Sequence, residues 1–94
     1  MNEWANEQMT NGQIAVKVRF FAAPREAIGT GEIEVEIPTG STVGDLIDLL
    51  TEEYPALRTY TRFISVAVNR GYVGMQNVLH DGDEVACLPP VGGG

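Results

Sequence analysis

The sequence predicts an α+β domain in which a mixed sheet of four to five strands carries one main helix on one face. Three observations predict it. Residues 32–38, "EIEVEIP", alternate strictly between acidic and apolar side chains, the period of a strand with one wet and one buried face. Residues 43–54 carry a one-sided apolar stripe at helical spacing. No second stripe of that kind exists to cover the other side of a sheet, so one sheet face is expected to meet water.

The elements follow in order. Residues 1–13, "MNEWANEQMTNGQ", are polar and aperiodic, and Trp4 has no apolar neighbour at strand or helix spacing. They are expected to form a flexible extension. "IAVKVRFFA", residues 14–22, is the clearest strand: Ile14, Val16, Val18 and Phe20 share one face, Ala15, Lys17, Arg19 and Phe21 the other. The second face is charged yet ends in an aromatic ring, which makes Phe21 a candidate for exposed apolar surface. "APREAIG" offers a proline near the start and Gly29 at the end of about one helical turn. The alternating strand at 32–38 then pairs hairpin-like with the first.

The main helix begins after "PTGS". Thr42 can cap it with Asp45 three residues on, and Val43, Leu46, Ile47, Leu50 and Tyr54 form its apolar stripe. Pro55 ends it, because the residue before a proline avoids helical geometry. "PALRTYTRF" is expected to be irregular or a brief turn. "ISVAVN", residues 64–69, is a strand with Ile64, Val66 and Val68 on one side, followed by a turn at Asn69-Arg70-Gly71 and a short strand at Tyr72-Val73. A turn at Asp81-Gly82-Asp83 leads into the last strand, "EVACLP", with Val85 and Cys87 on one face and Ala86 and Leu88 on the other. This order is compatible with a β-grasp, in which first and last strands lie side by side and parallel, although order alone does not establish it. Ninety-four residues allow one small domain, here residues 14–89, with 90–94 as a tail.

Composition excludes several functions. With 13 acidic against 6 basic residues the formal charge is −7, which phosphate backbones would repel, so nucleic acid is not an expected partner. Acidity of this size favours solubility and can steer the protein toward basic protein surfaces. The single cysteine rules out an intramolecular disulfide and a cysteine-based metal cage. The start carries no charged region followed by an apolar stretch, and no apolar run nears the length of a membrane span. A cytoplasmic protein without membrane attachment is expected.

Little in the chain points to chemistry of its own. His80 stands alone beside Asp81 at a turn and reads as a surface residue; Cys87 points with Val85 toward the core and behaves as a small hydrophobe. Gly40-Ser41-Thr42 lacks the glycine and lysine of a phosphate-binding loop, and Glu32, Glu34 and Glu36 form a solvated strand face. No metal-ligand cluster is present. The terminus is different. "PPVGGG" joins a stiff proline pair to three residues without side chains. Extended, Pro90 to Gly94 reach up to about 17 Å. Such an arm presents the main-chain carboxylate of Gly94 at its tip, with Pro90, Val91, Gly92 and Gly93 slim enough for another enzyme's channel.

"VRFFAAPREAIG", "AVN" and "DGDEVACLPPVGGG" together resemble the small, sulfur-carrying subunit of molybdopterin synthase (MoaD) and its archaeal ubiquitin-like relatives, over roughly Val16 to Gly94. The thiamine-pathway carrier ThiS shares the Gly-Gly end but generally lacks the Phe-Phe-Ala…Arg-Glu and Pro-Pro-Val elements. The resemblance implies a ubiquitin-like β-grasp with a flexible C-terminal Gly-Gly tail and no independent catalysis. It implies that Gly94 is adenylated by an E1-like adenylyltransferase using ATP and magnesium, converted to a thiocarboxylate, and inserted into the large subunit of molybdopterin synthase to donate sulfur. No cofactor bound by this chain is implied. The family's contact surface corresponds to Phe21, Tyr72 and Leu88 on the exposed sheet face, with Arg25 in the short helical turn. Two departures stand out: Cys87 replaces a frequent aromatic, and residues 1–13 have no counterpart in compact members. Two alternatives stay open, a ubiquitin-like modifier conjugated through Gly94 to lysines of target proteins and a non-covalent β-grasp interaction domain.

Overall fold

In the computed structural model, residues 12–88 are described; residues 1–11 and 89–94 lie outside it. Strand β1 spans Gln13–Phe20, helix α1 Ala22–Ile28, β2 Glu32–Pro38, helix α2 Val43–Glu53, β3 Ser65–Val68, β4 Gly71–Val73 and β5 Glu84–Leu88. The strands form one five-stranded sheet in the order β2-β1-β5-β3-β4. β1 and β5 run parallel at its centre, and every other pairing is antiparallel. This is the β-grasp arrangement with which the element order is compatible.

Period-two alternation does most of the sorting. From β1, Val16, Val18 and Phe20 enter the core, joined by Ile37, Val66, Val85 and Cys87 from the neighbouring strands. Helix α2 closes over them with Val43, Leu46, Ile47 and Leu50, the stripe the spacing predicts. Burying each of these aliphatic side chains contributes roughly 1.5–3 kcal/mol relative to leaving it exposed. The helix start is fixed as the sequence indicates: the Thr42 hydroxyl accepts from the Asp45 amide at 3.2 Å, and the Thr42 amide donates to the Asp45 carboxylate at 3.0 Å.

Several boundaries differ from the sequence-based expectation. β1 takes in Gln13 and ends at Phe20, not Ala22. Phe21 is extended but serves as the N-cap of α1, and Ala22 turns the chain with φ 57°. A non-glycine residue in that region ends a strand. Helix α1 is seven residues long rather than a single turn, closed by Gly29 in the left-handed conformation with its amide donating to Arg25 O at 2.9 Å. The short α1 thus replaces a tight hairpin between β1 and β2. Within "PALRTYTRF", Pro55–Thr59 form a 3₁₀ helix, where Leu57 is buried.

The "DGDE" stretch is a latch. Gly82 donates from its amide to Ala15 O at 2.8 Å, while the Asp81 carboxylate accepts from the Ala15 amide at 2.8 Å. Asp83, nearly buried, accepts from the His80 amide at 2.8 Å and from Asn69 Nδ2 at 2.9 Å. Asn69 in turn accepts from the Glu84 amide at 3.0 Å. One carboxylate therefore ties the β3–β4 turn to the entry of β5. Asn69 and Arg70 in that turn have φ 50° and 76°, the signs a type I′ hairpin needs, but an arginine gains nothing from the second.

Two expectations follow for unfolding measurements. Asp83→Ala removes the acceptor of two part-buried hydrogen bonds and lowers the unfolding free energy by about 1–2 kcal/mol. Arg70→Gly relieves a left-handed arginine and raises it by about 1 kcal/mol; an unchanged or lowered melting temperature contradicts the strain.

Candidate functional site

The sheet face opposite α2 is open, and its residues sort by register. Glu32, Arg19, Ala86, Ala67 and Tyr72 form one row across β2, β1, β5, β3 and β4. Leu88, the last described residue, is half-buried and pairs with Ser65. One position beyond the Phe20–Cys87 pair, Phe21 and Leu88 share a register level at the same end of the sheet. The two residues that strand alternation placed outside thus stand at the same end of the sheet.

Phe21 is half-buried rather than fully exposed. The Arg19 guanidinium lies 5.8 Å from its ring centroid, a cation–π contact worth about 0.5–1 kcal/mol at an exposed site. Arg25, exposed on α1, passes its side chain close over Gly31, where an added Cβ would meet Nε at 3.2 Å. Arg25 and Phe21 line one open groove of about 290 Å³ with Arg19, Thr30 and Glu32. Tyr72 stands elsewhere. It is 67% exposed on edge strand β4, separated from β1 by β5 and β3, so it borders the face rather than joining the Phe21–Leu88 pair.

Charge occupies the β1 side of the face. Lys17 and Arg19 meet Glu32 at 3.7 and 3.8 Å, and Arg19 also meets Glu84 at 3.2 Å. All of these side chains are about half exposed, so each pair is worth roughly 0–1 kcal/mol and serves to order the surface more than to stabilise the fold. One aromatic escaped the sequence reading. Phe63 is 58% exposed in the turn just before β3, where its amide donates to Tyr60 O at 2.9 Å. No strand or helix period reaches it, because it stands in a turn between the Pro55–Thr59 segment and β3.

The described residues hold little reactive chemistry. The amides that open α2 are already engaged: Val43 with Asn77 O and Gly44 with Met75 O, both at 2.9 Å, Asp45 with the Thr42 hydroxyl, and Leu46 with Thr42 O at 3.1 Å. That helix start has no donors left for a phosphate. His80 is exposed at its turn. Cys87 is buried, and burial pushes its thiol up to about 11, far from a thiolate nucleophile. Among the described residues no group of three histidine, cysteine or acidic side chains could hold a metal ion, and no helix is long and apolar enough to cross a membrane. Pro90, Val91, Gly92, Gly93 and Gly94, on which the sequence reading centres, lie outside the described residues, as does most of the 1–13 extension.

Comparison with known proteins supplies what side-chain geometry does not. The ThiS family model matches residues 18–94. The molybdopterin synthase sulfur carrier subunit of Mycobacterium tuberculosis is 45% identical over 82 residues, covering 86% of this chain and 99% of that protein. The crystal structure of small archaeal modifier protein 1 from H. volcanii is similar at a TM-score of 0.75 and 28% identity, over 83% of this chain and 99% of that one. A chain in the complex of subunits 1 and 2 of the molybdopterin-converting factor from Helicobacter pylori is similar at a TM-score of 0.65 and 27% identity, over 86% of this chain and 100% of that one.

The raised Cys87 thiol has a measurable consequence. A pKa moved from 9.0 to about 11 means the fold keeps a proton that the unfolded chain loses first. The contribution is complete below pH 9 and disappears as pH rises toward 11. The stability gap between the parent and Cys87→Ala therefore narrows across that window, by up to about 1.4 kcal/mol per pH unit; a gap independent of pH contradicts the burial.

Proposed function

The chain belongs to the ThiS family, among the molybdopterin synthase sulfur carrier subunits, and from that premise we propose that it delivers sulfur on its C-terminal carboxylate for molybdopterin synthesis. The 45% identity to a named sulfur carrier over nearly that protein's whole length carries the reading. Tail composition supports it independently. Glycine at 92, 93 and 94 carries no side chain to obstruct another enzyme's pocket, which suits presentation of the Gly94 carboxylate.

The chemistry is then external to this chain. A carboxylate is a poor electrophile. An E1-like adenylyltransferase joins it to AMP from ATP, with magnesium, releasing pyrophosphate. A sulfur nucleophile attacks the acyl carbon and expels AMP, leaving a thiocarboxylate. The tail enters the large subunit of molybdopterin synthase, where the bound thiocarboxylate meets the pterin precursor at high effective concentration. The chain's own part is to fold, to present the arm and to dock. On this reading it acts without independent catalysis and in the cytoplasm. Phe21 and Leu88, with Arg25 beside them and Tyr72 at the margin, supply the docking surface.

A second reading has an observation of its own. The likeness to an archaeal modifier protein favours conjugation through the same activated Gly94 to lysines of target proteins. Both begin with the same adenylation.

The test is incubation of the full chain with an E1-like enzyme, ATP, magnesium and a sulfur donor, read by intact mass. The expected product carries sulfur in place of one carboxylate oxygen, and deleting Gly94 abolishes it without moving the melting temperature. Discrete larger adducts with lysine-bearing proteins indicate the modifier instead. A parent chain that gains neither sulfur nor AMP overturns both.

A further inference from the structure

We propose that Trp4 of the N-terminal extension seats in the groove between β2 and α2, so that the segment before Gly12 straps a flank of the core that α2 leaves partly open. The placement goes beyond the sulfur-carrier reading and does not depend on it. On β2 only Ile37 is fully buried; Ile33 and Val35, which face the same way, are half-buried, and so is Leu49 on α2. At this margin runs an open groove of about 370 Å³, lined by Ile37, Pro38, Thr39, Asp45 and Leu49 among others. Asp45 and Leu49 are one turn apart and share a side of α2, while Ile37 and Pro38 come from the end of β2. Half-covered apolar surface of this kind is stabilised by taking an apolar side chain out of water.

The point at which the chain enters identifies the occupant. Gly12 O accepts from the Thr39 amide at 2.9 Å, and Gln13 pairs with Pro38. The extension is therefore tied directly to two residues that line the groove. Gly12 has φ 67°, and a Cβ there would meet nothing within 4 Å, so this glycine answers to a turn and not to crowding. The turn takes the preceding residues off the line of β1. Eight residues separate Trp4 from Gly12, up to about 26–29 Å when extended, against about 6 Å along the helix from Asp45 to Leu49. Reach is no obstacle. Side-chain chemistry then selects the site. Trp4 is the largest apolar side chain in an otherwise polar segment, and its N–H needs an acceptor once covered, which the Asp45 carboxylate in the groove can supply. The other groove at this end, lined by Gln13, Ile14, Ala15, Glu36 and Asp81, would set the ring against two carboxylates and fits it poorly.

Because Trp4 is the only tryptophan, its fluorescence reads the placement directly. In the full chain, tryptophan emission is expected at shorter wavelength than in the same chain unfolded in guanidinium, with weaker quenching by acrylamide. Thr39→Asp and Leu49→Gln are each expected to move both readings toward the unfolded values while circular dichroism stays parent-like. Should Leu49→Gln lose its fold, Thr39→Asp decides alone, since Thr39 is exposed and only brings a charge into the groove. Glu36→Gln, in the other groove, is expected to change neither reading. Trp4→Ala is expected to shift the amide resonances of Thr39, Gly40 and Leu49 and to spare those of Tyr72 and Ala86 on the open face. Emission and quenching equal to those of the unfolded chain overturn the placement and leave a solvated extension. A shielded tryptophan that ignores both groove variants, or one that becomes exposed on dilution, overturns it as well.

Discussion

The parallel pairing of β1 with β5 is the constraint on which the rest depends. It inserts the last strand between the first and third, so a segment at one end of the sequence becomes the middle of the sheet. β5 is therefore bonded on both sides, and its alternation has no freedom: Val85 and Cys87 must fill the core beneath α2, and Ala86 and Leu88 must face outward. A one-residue slip would put Leu88 inside and Val85 in water. The Asp81–Glu84 latch opposes that slip, since Gly82 and Asp81 grip Ala15 while Asp83 grips Asn69. Register at the entry of β5 thus decides which side chains surround the exit.

Much of this is legible in the sequence where the interactions are local. Strict alternation gives β2, and Thr42 with Asp45 gives the start of α2, because each signal lies within a few residues of the structure it specifies. The outward placement of Phe21 and Leu88 follows from the same counting. What fails is what depends on distant partners or on one torsion angle. Nothing near Ala22 announces its positive φ, so the first strand reads two residues too long. The 3₁₀ helix at Pro55–Thr59 owes its form to Leu57 seated in the core beside Phe20 and Cys87, a long-range contact. "DGDE" is legible as a family signature, whereas its physical task as a latch emerges only once Ala15 and Asn69 are brought beside it.

The open face shows how a chain of net charge −7 can still offer a docking surface. Its acidic side chains on β2 and β5 are partly answered by Lys17 and Arg19, so the middle of the face is a neutralised network. Apolar groups stand at the margins: Phe21 and Leu88 at one end, Tyr72 on the far edge. Ala67 and Ala86 between them keep the surface low. Where Lys17 and Arg19 meet Glu32 and Glu84, a partner can approach without stripping water from a lone charge, the step that makes burial of ions costly.

The central position of β5 also bears on mechanical strength. Traction applied beyond Leu88 would run along β5, loading the backbone bonds to β1 and β3 together in shear instead of opening them one after another. An edge strand such as β4 would peel away under the same traction. A strand anchored in the middle of the sheet thus resists such traction with the body of the domain intact.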